Sequence, residues 1–193
     1  MTLDERVPKV DIPEGEDGEW KVQRFVISKE ESNFSQMRAV FRPREYVRPG
    51  RYTRLTRNGG VVMSDTDSER YDHLMPVHMS HGKILINGLG IGIVLNACLR
   101  RPNVEHTTVV DISPEVIRLV GPHYQKLYGD RLTIICADAL TWRPKRGTRY
   151  GMVWHDIWDT ICGDNLPEMT KLHRSYGQRT EWQGSWQKEM CRR

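Results

Sequence analysis

Cysteine is scarce in this 193-residue chain, and its spacing excludes more than its number does. Cys98, Cys136, Cys162 and Cys191 lie far apart and form no Cys-x-x-Cys pair, which argues against a zinc site and against a disulfide framework. Cys136 sits in an apolar run and is expected to be a small core residue. His78 and His81 form a His-x-x-His pair with no third ligand in view, so no metal is expected. No stretch is long enough to span a membrane, and the opening MTLDERVPKVDIPEGEDGEW has no apolar block of the signal-peptide kind. A cytoplasmic location is the expectation. Internal repeats and low-complexity blocks are absent too. With 38% hydrophobic residues and a mean hydropathy of -0.62, the composition is that of a soluble protein with polar ends. The length suffices for a real core without staples, in one domain plus a small appendage.

Charge is unevenly spread around a net of +4. Residues 1–19 hold Asp11, Glu14, Glu16, Asp17 and Glu19 among Pro and Gly, a composition that predicts a mobile tail. Arg38, Arg42, Arg44, Arg48, Arg51, Arg54 and Arg57 then crowd together. Such a run can meet nucleic-acid phosphates. The favoured alternative is the wet face of an antiparallel hairpin.

Residues 20–80 predict that hairpin element and a short helix. EWKVQRFVIS and MRAVFRP are strand-like, Asn58-Gly59-Gly60 is a turn between strand-like runs, and DSERYDHLMPVHM is helical. In residues 81–193 the texture alternates. Lys83 to Asn87, HTTVVDIS, RLTIICAD and YGMVWHDIW read as strands, with helices over Gly92 to Arg100 and SPEVIRLVGPHYQKLY. Ser113 is placed as N-cap and Pro114 as first helical residue. Beyond Trp158 only LPEMTKLHRSYGQ looks helical. The pattern predicts an α/β fold: a truncated Rossmann-like sheet with helices on both faces, preceded by a small antiparallel β element.

The chemistry gathers at the ends of the strands. ILINGLGIG runs a buried strand into glycines at every second position, where backbone turns sharply or a large ligand lies against the main chain. A dinucleotide fingerprint needs its third glycine at residue 93, which is Ile93. The spacing is instead Gly88-x-Gly90-x-Gly92. Asp111, closing the second strand, can accept from both hydroxyls of a ribose. Asp138, closing the third, suits an adenine edge together with the Ala139 amide. Each aspartate can equally be an ordinary helix cap. The expected cofactor contacts are Asn87, Gly88, Leu89, Gly90, Gly92, Asp111, Ile112, Asp138, Ala139 and Asp156, at the carboxyl ends of successive strands.

The Gly-x-Gly-x-Gly spacing is that of S-adenosylmethionine-dependent methyltransferases. From Arg51 to Asp159 the order of DSERYDH, ILINGLGIG, VVDIS, ICADAL and GMVWHDIWD resembles the spermidine-synthase-like branch of the class I methyltransferase fold. The closing DNLPEMTKLHRSYGQRTEWQGSWQKEMC resembles short methyltransferase-like proteins of phages and bacteria. The resemblance implies that Asp156 and Asp159 occupy the paired aspartate positions of the polyamine synthases, and they are the expected catalytic residues. It also exposes departures. Those synthases carry an aspartate in the glycine loop that disfavours a carboxylated cofactor; here the position is Ile91. Their Tyr-His-Glu segment appears as Tyr71-Asp72-His73. Intact S-adenosylmethionine is therefore the expected cofactor, and methyl transfer to a small-molecule acceptor the expected activity. An aminopropyltransferase and a non-catalytic S-adenosylmethionine-binding module are the alternatives. Trp154 and Trp158 flank Asp156 as an apolar wall or as core packing. His155 is expected on the opposite side of the strand. Few residues remain for the last strands of the sheet, so a homo-oligomer is expected, with the hairpins or the Trp182-Trp186 tail at its interface.

Overall fold

The computed structural model describes residues 1–39 and 46–192. Strands β1 (Gly15–Asp17), β2 (Trp20–Ile27), β3 (Gly50–Arg57) and β4 (Gly60–Ser64) form an antiparallel sheet in that order. The predicted turn joins β3 to β4: Asn58 and Gly59 both have positive φ, 49° and 81°, as a two-residue hairpin in a right-twisted sheet requires. Two short helices, α3 (Asp67–Asp72) and α4 (Leu74–Met79), replace the single helix expected there and break at His73.

Two expectations for this part of the chain fail. MRAVFRP is not a strand as far as it is described: Met37, Arg38 and Ala39 close helix α2 (Lys29–Ala39), and residues 40–43 lie outside the described residues, as do Arg42 and Arg44 of the arginine run. A reciprocal cap starts this helix. Ser28 Oγ accepts from the Glu31 amide at 3.1 Å, and Glu31 Oε2 accepts from the Ser28 amide at 2.7 Å. Nor is the acidic N-terminus a mobile tail. Helix α1 (Leu3–Arg6) leads into Val7, Val10 and Ile12, all in the core. Wholly buried Arg70 donates to the Val7 carbonyl and pairs with Asp4 and Asp67, while Asp65 accepts from the Val10 and Thr53 amides. The acids that suggested disorder have basic partners: Glu16 pairs across the β1–β2 turn with Lys21, and Asp17 and Glu19 reach the distant Arg118 and Arg57. Arg24 pairs with Asp11, and in the described arginine run Arg48 pairs with Asp67 as Arg57 does with Glu19, so these two are met by carboxylates of the same chain.

The second sheet is wholly parallel. It comprises β5 (Gly82–Asn87), β6 (Val104–Asp111), β7 (Leu132–Cys136), β8 (Tyr150–His155) and β9 (Thr180–Ser185), in the order β7-β6-β5-β8-β9. Helices α5 (Ile93–Leu99) and α6 (Pro114–Tyr128) pack with the antiparallel sheet on one face, where Ile84, Ile86, Met152 and Trp154 point. Helix α7 (Leu166–Tyr176) covers the other face, against Leu85, Val110 and Val153. This is the expected Rossmann-like α/β architecture with helices on both faces. Strand β9 was not foreseen. It is an edge strand of polar composition whose place depends on pairing with β8 and on Trp182 stacking against Trp154, centroids 6.3 Å apart. A last turn, α8 (Lys188–Cys191), follows it. Cys136 is exposed, since it ends the edge strand β7; Cys98 and Cys191 are the buried thiols. Among the described residues no helix is long and apolar enough to cross a membrane.

Candidate functional site

Chain order reverses between β5 and β8, and in open parallel sheets ligands bind beyond the carboxyl ends of the strands at such a point. A cavity of about 530 Å³ lies there, roofed by the antiparallel sheet. Gly88, Leu89, Gly90, Asp111, Ile112, Asp138, Ala139, Asp156 and Asp159 all line it, so most of the residues expected from sequence come together on one wall.

Asn87 and Gly92 do not. Alternation along β5 turns the Asn87 side chain to the opposite face, where its Nδ2 donates to His155 Nδ1 at 2.8 Å. Burial pushes the His155 imidazole down to about 3, so the ring is neutral and can accept at that nitrogen. Its position away from the cavity agrees with the sequence. Gly92, at φ 78°, lies against Tyr124: a Cβ there would fall 2.2 Å from the ring, whose hydroxyl donates to the Ile91 carbonyl. Gly88 likewise makes room for protein rather than ligand, since a Cβ would lie 1.9 Å from the Asp156 carbonyl oxygen. The loop's glycines are needed first to bring β5, α6 and the end of β8 together.

At one end of the cavity Asp111 Oδ2 accepts from the Leu89 amide at 2.7 Å and Oδ1 from the Ser113 amide at 2.8 Å. Burial raises its carboxyl above the usual range, against the opposing pull of these amides. Beyond these amides the carboxylate keeps lone-pair capacity for a ligand hydroxyl. Ser113 and Pro114 do open α6, but the Ser113 side chain makes no capping bond; the Asp111 carboxylate instead holds the Ser113 amide in a local turn ahead of the helix. Beside it Ile112 is 67% exposed, a flat apolar step on the cavity wall. Asp138 Oδ1 accepts from the Leu140 amide at 2.8 Å, a local turn that fixes the carboxylate at the end of β7.

The other end is acidic. Asp156 follows β8, with its amide bound to the Asn87 carbonyl at 2.8 Å and its side chain 17% exposed. Burial raises its carboxyl to about 7; Trp154 opposes the shift, and Glu69, Asp72 and Asp159 add to it. His73 Nε2 stands 3.9 Å from Asp156 Oδ2. Trp158 lines the cavity and donates to Glu168, whereas Trp154 packs in the core, so the two tryptophans divide between the two roles weighed for them. Residues the sequence did not assign to the cofactor site complete the wall: Trp20, Arg57 and Met63 from the antiparallel sheet, Glu69 and His73 from the α3–α4 segment, and Trp186 after β9. Trp186 donates to Asp72 at 3.2 Å, so this tail folds back onto its own chain. Only DSERYDH carried a signal for any of them. The others depend on how two sheets meet, which no local pattern encodes.

The wall thus carries the Asp111 carboxylate, bound by backbone amides, and the raised Asp156 carboxyl among other acids. It suits a nucleoside carrying a cationic or amine-directed tail. No protein-family model matches the chain. Among curated proteins it is 32% identical over 117 residues to polyamine aminopropyltransferase 1 of Streptomyces coelicolor, and 28% identical over 118 residues to polyamine aminopropyltransferase of Leptospira interrogans. Each match takes in 55% of this chain but only 22% and 24% of those relatives, so the chain spans about a quarter of their length. Spermidine synthase from Thermotoga maritima shares the fold, with a TM-score of 0.50 at 16% identity, over 88% of this chain and 53% of that one. The fold is therefore the α/β fold of that spermidine synthase, and the curated relatives matched over part of the chain are polyamine aminopropyltransferases.

Proposed function

We propose that the cavity binds an S-adenosyl sulfonium donor and transfers its aminopropyl group to an amine. The observation that carries this reading is Asp156: a largely buried carboxyl raised to about 7, with Glu69, Asp72 and Asp159 around it. Such a cluster attracts an ammonium and supplies a base matched to neutral pH. In the step proposed, the ammonium acceptor gives one proton to the Asp156 carboxylate. The freed nitrogen lone pair attacks the carbon beside sulfur, the C–S bond breaks, and its electrons leave sulfur as a neutral thioether. The product is a secondary ammonium, so charge balances. Asp111 holds the ribose hydroxyls, Asp138 and Ala139 the adenine edge, and Asp159 supports Asp156. The names of the curated relatives favour the aminopropyl donor over the methyl donor that the glycine spacing, Ile91 and Tyr71-Asp72-His73 suggested. Methyl transfer from intact S-adenosylmethionine is the second reading, favoured by the uncharged Ile91.

Turnover separates the two. The purified chain is incubated with a diamine or triamine and either decarboxylated or intact S-adenosylmethionine, and the thioether product is identified by mass spectrometry. Methylthioadenosine from the decarboxylated donor is the expected product. S-adenosylhomocysteine from the intact donor would replace this reading with the second.

A further inference from the structure

Glycine-rich loops recognise anions by presenting free backbone N–H groups. In this loop the N–H groups of Gly88, Leu89, Ile91 and Gly92 already have acceptors. Gly88 donates to the Val110 carbonyl at 2.8 Å, Leu89 to Asp111 at 2.7 Å, and Gly92 to the Leu89 carbonyl at 2.9 Å. The Gly90 amide helps to hold the Asp111 charge. Ile91 donates to the thioether sulfur of Met63 at 3.2 Å. The same sulfur fills the space that glycine leaves open at position 90, because a Cβ there would stand 2.1 Å from it. Met63 comes from β4, so the roof of the cavity reaches down and covers the loop.

A thioether is a weak acceptor, which makes this the most replaceable of the loop's bonds. A ligand carboxylate would be a far better partner for the Ile91 amide. To reach it, that carboxylate would have to displace Met63 and come to rest on a wall that also carries Glu69, Asp156 and Asp159. The one Arg or Lys on the wall among the described residues, Arg57, is paired with Glu19 at 2.5 Å and lies over Trp20. An ammonium tail needs none of these donors and gains from the acids. We infer that Met63 is a specificity-determining residue, occupying the Ile91 amide and the space over Gly90 so that a donor ending in a carboxylate is turned away. The inference rests on the sulfonium-nucleoside reading of the cavity and names the residue that selects within it.

Calorimetric titration with intact and decarboxylated S-adenosylmethionine tests it in the full chain, in Met63→Ala and in Met63→Leu. The unaltered chain is expected to bind the decarboxylated donor more tightly. Met63→Ala frees both the amide and the space, and should narrow the gap by about tenfold, the worth of one hydrogen bond to a charged group. Met63→Leu keeps the bulk without the sulfur and should narrow it less, in the same direction; it serves where the alanine variant does not fold. An unchanged ratio in the folded variants overturns the inference while leaving the nucleoside site standing. So does a preference of the unaltered chain for the intact donor. Failure of the unaltered chain to bind either donor overturns the nucleoside reading itself, and this inference with it.

Discussion

Asp156 destabilises the protein that carries it. Its folded carboxyl is raised from 3.8 to about 7, so the folded chain holds a proton that the unfolded chain has already released. The sign follows directly: stability falls as pH rises between those values, and above them the ionised, largely buried carboxylate counts in full against the fold. Asp156→Asn is therefore expected to raise the melting temperature, and by more at pH 8 than at pH 5. The same substitution removes the proposed base. A loss of about a hundredfold or more in kcat/KM is expected, with disappearance of an acid limb centred near 7. A pH-rate profile measured beside the melting curves checks both halves. Asp111 behaves differently, because its oxygens already serve Leu89 and Ser113. Asp111→Ala should weaken nucleoside binding by about 1.5–3 kcal/mol and also loosen the loop, whereas Asp111→Asn keeps one carbonyl acceptor and should lose less. Titration of both variants with methylthioadenosine, with their melting points, separates ligand contact from loop support. Equal affinity in all three proteins would leave Asp111 as a support of the local turn alone.

The glycine loop shows how far local patterns carry at the scale of an element. Its conformation was legible, since Gly88, Gly90 and Gly92 all have positive φ at 99°, 50° and 78°. The reason for it was not. Sequence spacing pointed to a ligand against bare backbone, yet the nearest neighbours of Gly88 and Gly92 are Asp156 and Tyr124, distant in sequence and brought in by the sheet. The strands β5 to β8 could be read because each is an apolar run between turn or helix signals. Strand β9 could not, because TEWQGS has little intrinsic preference for strand and is held by its partner. Helix α2 was not legible for the opposite reason: the Ser28–Glu31 cap is present in the sequence, but Val40 and Phe41 give MRAVFRP the composition of a strand. For the loop, Gly92→Ala should cost about 1–3 kcal/mol, because the added Cβ meets the Tyr124 ring at 2.2 Å and the positive φ strains any side chain. Trimming the ring as well, in Gly92→Ala with Tyr124→Leu, should recover the steric part but not the backbone part. Urea denaturation of the single and double variants measures both. Full stability of Gly92→Ala would show that Tyr124 can move aside at no cost.

Across the whole molecule the cavity exists because two sheets are held face to face, and the N-terminal segment helps to hold them. Val7, Val10 and Ile12 enter the same core as Ile84, Ile86 and Trp154 of the parallel sheet. Their position is secured by polar groups that would otherwise be costly to bury. Arg70 is wholly buried; it satisfies the Val7 carbonyl at 2.7 Å and meets Asp67 at 3.2 Å, and Asp67 is itself only 11% exposed. Removing the guanidinium leaves the Val7 carbonyl without its partner and Asp67 with Arg48 alone, so the penalty is mainly the desolvation of the groups left behind rather than the worth of an exposed ion pair. Arg70→Met, which keeps much of the volume, is expected to cost roughly 3 kcal/mol. Because Arg70 also binds Asp4, the loss should be felt first at residues 1–12, ahead of global unfolding. Limited proteolysis with mass-spectrometric readout should show early cleavage within that segment in Arg70→Met and none in the unaltered chain under the same conditions. Nucleoside binding should weaken as well, since the antiparallel sheet that carries Trp20, Arg57 and Met63 onto the cavity is buttressed by the same segment. Cleavage at the same rate in both proteins, with equal melting points, would mean that burial of Val7 and Ile12 anchors the N-terminus without help from the buried charge.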